Sequence, residues 1–223
     1  MSLRSRSIII WKTFAEVNWI KTLIFNISYF PFRIAIKLPC FIYKRTRLLC
    51  MKGNIVLNVP PRTGIFRIGP SGLGTRQAGL AWTSWDLSGT IIINGFCSLG
   101  RGCSIAVQKN GTLVFGSGFV CTGSSDIICV NNIEFGDNCL LSWDIIIMDT
   151  DFHKITKDHI TINQPKPIKI GTHVWIGCRC TILKGVSIAD NIVVAANSTI
   201  TTKLDHSFSC YGRNGVELKS NIE

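Results

Sequence analysis

From Ile170 to Ile200 the chain places an aliphatic residue at every sixth position: Ile170, Ile176, Ile182, Ile188, Val194 and Ile200. A second set four places further on reads Val174, Cys180, Val186, Ile192 and Ser198. A period of six is neither the 3.6 of a helix nor the 2 of a single long strand. It suits a chain wound as a triangular prism, where six residues make one short flat side and one turn. Each side then needs one aliphatic residue pointing inward and a small or branched one at the corner. The residue after the aliphatic is small in Gly171, Gly177 and Ala195. The pattern predicts an all-β chain, a parallel β-helix of hexapeptide repeats.

The same phase recurs earlier. Leu87, Ile93, Leu99 and Ile105 are six apart, with Ile91, Cys97 and Cys103 in the corner slots. Phe115, Cys121 and Ile127 resume after a four-residue excess, and Phe135, Leu141 and Ile147 form a third run. Phe115 and Cys121 stand where aliphatics are expected, so residues 53–130 are expected to wind less regularly. Between Ile147 and Ile170 the step is 23 residues, no multiple of six, so the chain must leave the prism and return. Loops thrown out of a rigid solenoid are where sites are carried.

The formal charge of +11 is unevenly placed: residues 1–52 hold ten of the 24 Lys and Arg against Glu16 alone, which gives +9. Three regions follow: a basic apolar helical leader (1–52), a β-helix (53–205) with a loop over 148–169, and a C-terminal tail (206–223). In the leader Ile9, Thr13, Val17, Ile20, Ile24 and Ile27 fall on one helical face, and Pro31 and Pro39 break the pattern. Its longest uncharged stretch, Thr22 to Phe32, is eleven residues, against about 18 for a membrane span. Lys12 cuts the apolar run Ile8 to Trp11, unlike a cleavable signal. Two readings stand: a segment lying on an anionic membrane surface, and a helical cap on the open end of the solenoid. A nucleic-acid partner is not expected, because no such motif is visible and the apolar face would be unexplained.

Among ten cysteines, Cys97, Cys103, Cys139 and Cys180 occupy corner slots, where a small apolar side chain is wanted. This points to packing and a reducing, cytoplasmic location, with peripheral attachment to the inner face of a bacterial membrane if the leader binds lipid. No Cys-x-x-Cys pair supports a metal site.

The run Ile170-Gly171-Thr172-His173-Val174-Trp175-Ile176-Gly177, then Thr181-Ile182-Leu183-Lys184-Gly185-Val186 and Ser198-Thr199-Ile200-Thr201-Thr202-Lys203, resembles the hexapeptide-repeat O-acetyltransferases, the group that holds galactoside and maltose acetyltransferases. The leader, with Lys21-Thr22-Leu23-Ile24-Phe25-Asn26 and Ala35-Ile36-Lys37-Leu38-Pro39, resembles that of acyltransferases from capsule and lipopolysaccharide gene sets. The resemblance implies a left-handed β-helix, an exception to the right-handed crossover rule, and a homotrimer binding acetyl-CoA between neighbouring prisms. It also implies a saccharide acceptor in surface-polysaccharide biosynthesis.

Moving an acetyl group from a thioester to a sugar hydroxyl requires a base for the hydroxyl proton and donors for the oxyanion at the carbonyl. His153 lies where the hexads break, within Met148-Asp149-Thr150-Asp151-Phe152-His153. Asp149 or Asp151 would orient the imidazole by triad logic, or would be turn residues. The resemblance implies that His153 is the base and that the Cys178 amide faces the thioester carbonyl. It also implies that Trp175 lines the pantetheine groove, Ala196 offers a further amide, and Lys203 meets the nucleotide end. No acyl-enzyme is needed, so transfer is direct.

His159, six past His153, is the alternative base, and otherwise an exposed loop residue; His173 is expected to face outward and Trp143 to pack in the core. Three clustered histidines would resemble γ-class carbonic anhydrases, but the spacing is absent. The chain departs from the family where a Gly-x-Pro-Ala segment is usual, reading Tyr211-Gly212-Arg213-Asn214-Gly215. A non-catalytic membrane-docked trimeric scaffold and an N-acetyltransferase of a nucleotide-linked amino sugar remain as alternatives.

Overall fold

A side of six residues can pair only with the same side of the next turn, and the backbone does so throughout. The computed structural model describes residues 15–71 and 81–222. Three parallel faces form. Face I stacks eight strands from Cys40–Ile42 to Ser209–Tyr211, face II seven from Thr46–Met51 to Thr199–Ile200, and face III six from Asn54–Leu57 to Ser187–Ile188. The chain visits I, II and III in that order in each turn.

Register places like side chains directly over one another. On face I, Leu99, Cys121, Leu141, Ile176 and Val194 pair in succession, and on face II Ile105, Ile127, Ile147, Ile182 and Ile200 do the same. All are buried, as are the corner residues Val174, Cys180, Val186, Ile192 and Ser198. Turning at the corners demands left-handed backbone, adopted by Asn138, Asp144, Asn191 and Asn197, types that tolerate it. His173, exposed and at one such corner, bonds Asn191 through Nδ1 at 3.0 Å.

Winding already begins at Cys40 and continues through the described residues of 53–130, but with longer turns. Leu99 to Cys121 spans 22 residues and Cys121 to Leu141 spans 20, against 18 from Ile176 to Val194. Four-residue strands such as Thr112–Phe115 and Asn132–Phe135 put two side chains inside per side, where Ser187–Ile188 puts one. The wider interior is filled with rings. Phe115 and Phe135 stack 5.7 Å apart at 7°, and Phe119 sits 4.6 and 4.7 Å from them.

The open end is closed by helix α1 (Trp19–Tyr29), whose Asn18 side chain accepts the Lys21 N–H at 3.0 Å as N-cap. Its buried face serves the edge strand that would otherwise be unpaired. Asn26 accepts the Cys40 N–H at 3.1 Å and donates to the Cys40 carbonyl at 2.8 Å, and Thr22 Oγ1 accepts the Ile42 N–H at 3.0 Å. Phe25 packs on Trp85, ring centres 5.4 Å apart. The opposite face carries Ile20, Leu23, Ile24 and Ile27, all exposed, and Phe32 and Ile36 extend it. Of the expected apolar stripe, Val17 precedes the helix and is buried in a bridge to Tyr43. Ile9, Thr13 and the run Ile8–Trp11 lie outside the described residues. At the far end Ser209–Tyr211 extends face I and Glu217–Lys219 folds back antiparallel onto it.

Candidate functional site

The register break becomes a loop leaving the edge between faces II and III, after Ile146–Met148 and before Ile168–Ile170. Its neck is stapled to the turn before. The fully buried Asp149 carboxylate accepts the Val130 and Asn131 N–H groups at 2.8 Å each, and Lys166 N–H closes on the Asp149 carbonyl at 3.0 Å. Both Asp149 oxygens are thereby committed to backbone, so Asp149 holds the loop and does not orient the imidazole.

Asp151 is likewise turned elsewhere. Its carboxylate pairs with Lys184 Nζ, from the same edge one turn later, and accepts from Asn163 Nδ2 at 2.9 Å. Those two contacts, Lys184 first, hold its carboxyl below the usual range. Asp151 meets His153 only through the main chain, its carbonyl accepting the His153 N–H at 2.6 Å. Among the described residues no group hydrogen-bonds the exposed His153 imidazole. It lines a cleft of about 460 Å³ with Gln108, Thr150 and Asn163. His159 instead occupies a hairpin tip. Asp158 and His159, both at positive φ, join Thr156–Lys157 to Ile160–Thr161, the geometry of a two-residue turn.

The residues expected at the donor are divided. Trp175 stands half-exposed on face I, donating through Nε1 to Ser142 Oγ at 3.2 Å beside a groove of about 470 Å³. Trp143, expected in the core, is also partly exposed on that face. Cys178 and Ala196 lie on the edge between faces I and II in successive turns, which approach so closely that a Cβ on Gly177 would stand 2.6 Å from Ala196 N. Among the described residues nothing accepts from the Cys178 or Ala196 N–H. These are two free donors side by side, the kind of group an oxyanion or a pantetheine amide needs. Lys203 is on the II/III edge, 3.5 Å from Asp205. Within one prism, then, the imidazole and the free amides sit on opposite margins of face II. Where the family has Gly-x-Pro-Ala, Arg213–Gly215 makes a short turn that returns the tail onto face I.

Sequence reading missed Asn163 and Lys184. Lys184 has a usable signal, since it stands at the same hexad phase as the break, one turn later; Asn163 has none.

Residues 167–202 match the family model for the hexapeptide repeat of succinyl-transferase. The structure is similar to that of the polySia-specific acetyltransferase NeuO, at a TM-score of 0.50 and 18% identity over 82% of this chain and 77% of that one. The prism is a left-handed parallel β-helix built on hexapeptide repeats.

By sequence the chain is 35% identical over 91 residues to the polysialic acid O-acetyltransferase of Neisseria meningitidis, covering 40% of this chain and 39% of that protein. It is 32% identical over 89 residues to the galactoside O-acetyltransferase of Escherichia coli, covering 39% and 43%. The putative colanic acid biosynthesis acetyltransferase WcaF of the same species matches at 32% over 74 residues, 33% and 40%. The matches span less than half the length of each of these relatives.

Proposed function

We propose that this protein transfers an acetyl group from acetyl-CoA to a hydroxyl of a surface polysaccharide or its precursor. The observation that carries the reading is the bare His153 imidazole, presented in a cleft on a loop anchored to the turns on either side. The similarity to O-acetyltransferases of polysialic acid and of galactosides supports the reaction class. His153 removes the hydroxyl proton as the sugar oxygen attacks the thioester carbonyl. The Cys178 amide stabilises the developing oxyanion; the carbon–sulfur bond then breaks, and the imidazolium returns its proton to the departing thiolate. Because imidazole and amides lie on different edges of one prism, a site holding both takes its amides from a neighbouring copy, and a homotrimer with three shared sites meets that need. Trp175 and Ala196 contact the pantetheine arm and Lys203 the nucleotide end.

Incubation with acetyl-CoA and a panel of polysialic acid, colanic acid fragments and galactosides tests the reading. Release of free CoA thiol with an acetyl mass shift on one acceptor is expected. Absence of both CoA binding and transfer would favour the scaffold reading, and sedimentation as a fully active monomer would remove the shared site.

The location proposed is an anionic membrane surface, where lipid-linked saccharides are found. Supporting it are the six exposed apolar side chains of Ile20, Leu23, Ile24, Ile27, Phe32 and Ile36, interleaved with the exposed cations Arg33 and Lys37 in a segment of net +9. No helix among the described residues is long and apolar enough to cross a membrane. Flotation with phosphatidylglycerol vesicles should be weakened by salt and abolished by Leu23→Asp with Ile27→Asp. Unchanged flotation of that variant would leave α1 as a cap alone.

A further inference from the structure

Around His153 the loop is cross-linked by the Asn163 side chain. Asn163 donates from Nδ2 to the His153 carbonyl at 2.7 Å and to the Asp151 carboxylate at 2.9 Å, while its Oδ1 accepts the Ile155 N–H at 2.6 Å. It thus grips the backbone at and just after the histidine and the Asp151 side chain before it. Lys184 binds the same Asp151 carboxylate and the Asn163 carbonyl, at 3.0 Å to the latter, so the knot is fastened to the next turn of the solenoid. Besides this knot, the excursion is closed at its neck by Asp149 and Lys166 and at its tip by the hairpin, where the Ile162 N–H meets the Ile155 carbonyl at 2.8 Å. Each of these contacts is to main chain or to another member of the knot, and none is to the imidazole.

We infer that Asn163 and Lys184, acting through Asp151, are positioning residues that hold the His153 backbone where its imidazole meets the acceptor hydroxyl. This rests on His153 being the base. Misplacing a catalytic group by about 1 Å costs on the order of 100-fold in rate, and the knot is what resists such a shift. The polar atoms of both side chains are engaged within the knot, so their removal is expected to lower turnover and spare donor binding.

Kinetics on full-length Asn163→Ala, Lys184→Met and Lys184→Arg, with acetyl-CoA and the panel acceptor turned over fastest, provide the test. We expect kcat to fall about 10- to 100-fold in Asn163→Ala and Lys184→Met with the KM for acetyl-CoA unchanged, and Lys184→Arg to recover most of the loss. In a His153→Ala background Asn163→Ala should cost nothing more, because its effect passes through the imidazole. Amide exchange at His153 and Ile155, which needs no acceptor, should quicken in Asn163→Ala while the coils stay protected. An inactive His153→Ala beside a normal Asn163→Ala would overturn the positioning role alone; an active His153→Ala would overturn the base itself. Equal loss of turnover, CoA affinity and melting temperature in Asn163→Ala would reduce the knot to a structural brace, and unchanged amide exchange would show that it holds nothing.

Discussion

The coils before the loop and the coils after it are built on different interiors. From Cys97 to Phe135 the sides are long, two side chains enter per side, and a cluster of phenylalanines fills the width. From Ile168 to Ile200 the strands are two or three residues long, and the buried side chains are mostly Ile and Val with no ring among them. The hexad is therefore only the tightest way to wind this prism. What is common to both regions is an unbroken inward stack in register, and the loop with His153 leaves where one interior gives way to the other.

If that division is real, changes at the junction should affect chemistry and spare stability. The largest expected effect is His153→Ala, with turnover lowered about 10²- to 10⁴-fold and the melting temperature and CoA affinity unchanged, because the imidazole makes no hydrogen bond among the described residues. His159→Ala is the matched control and should be active; a comparable loss there, measured in the same assay, would move the base to the hairpin tip. Next comes Phe115→Ala in the wide coils. Removing a fully buried ring packed on Phe119 and Phe135 should cost about 3–5 kcal/mol in denaturant unfolding. A loss under about 0.5 kcal/mol, the range of surface changes, would mean that the ring cluster is not what fills the width.

The converse substitution probes the narrow coils. Ile182→Phe should destabilise by about 1–3 kcal/mol through overpacking, since its side admits one aliphatic between Ile147 and Ile200. If the ring is accepted at no cost, the two interiors have the same width. The smallest effect lies at the tail. His206 is raised above its ordinary pKa, first by its hydrogen bond to Glu217 at 2.9 Å and then by the charges of Glu217 and Asp205. A raised histidine contributes fully below its unfolded value of about 6.5 and loses the contribution as pH rises through the folded value. Amide protection of Glu217–Lys219 should therefore be greatest in mild acid and decline above it, and Glu217→Gln should flatten that dependence.

Much of this was legible in the residues, and unevenly. The six-residue step identified the prism because an inward slot that returns every side leaves a period no helix or single strand produces. The 23-residue step located the loop, and His153 stood inside it. The wide coils were harder to see, since Phe66, Trp85 and Phe119 fill an interior by bulk, which leaves no fixed period in sequence.

Sequence alone determined the winding, its interruption and the concentration of charge in the first 52 residues, all properties of order along the chain. Tertiary structure decided which groups the edges bring together. Asp149 and Asp151 looked equivalent beside His153, yet one is buried on two backbone amides of the preceding turn and the other is held by a lysine of the following one. Asn163 and Lys184 entered the site, and Cys178 and Ala196 were carried to the other margin of face II. The helix closes the solenoid with one face and leaves the other bare. The physical reason is the same in each case: a buried donor or acceptor must be paired, and stacked turns supply partners from residues roughly eighteen apart, a spacing set by how many residues complete a turn and by no local propensity.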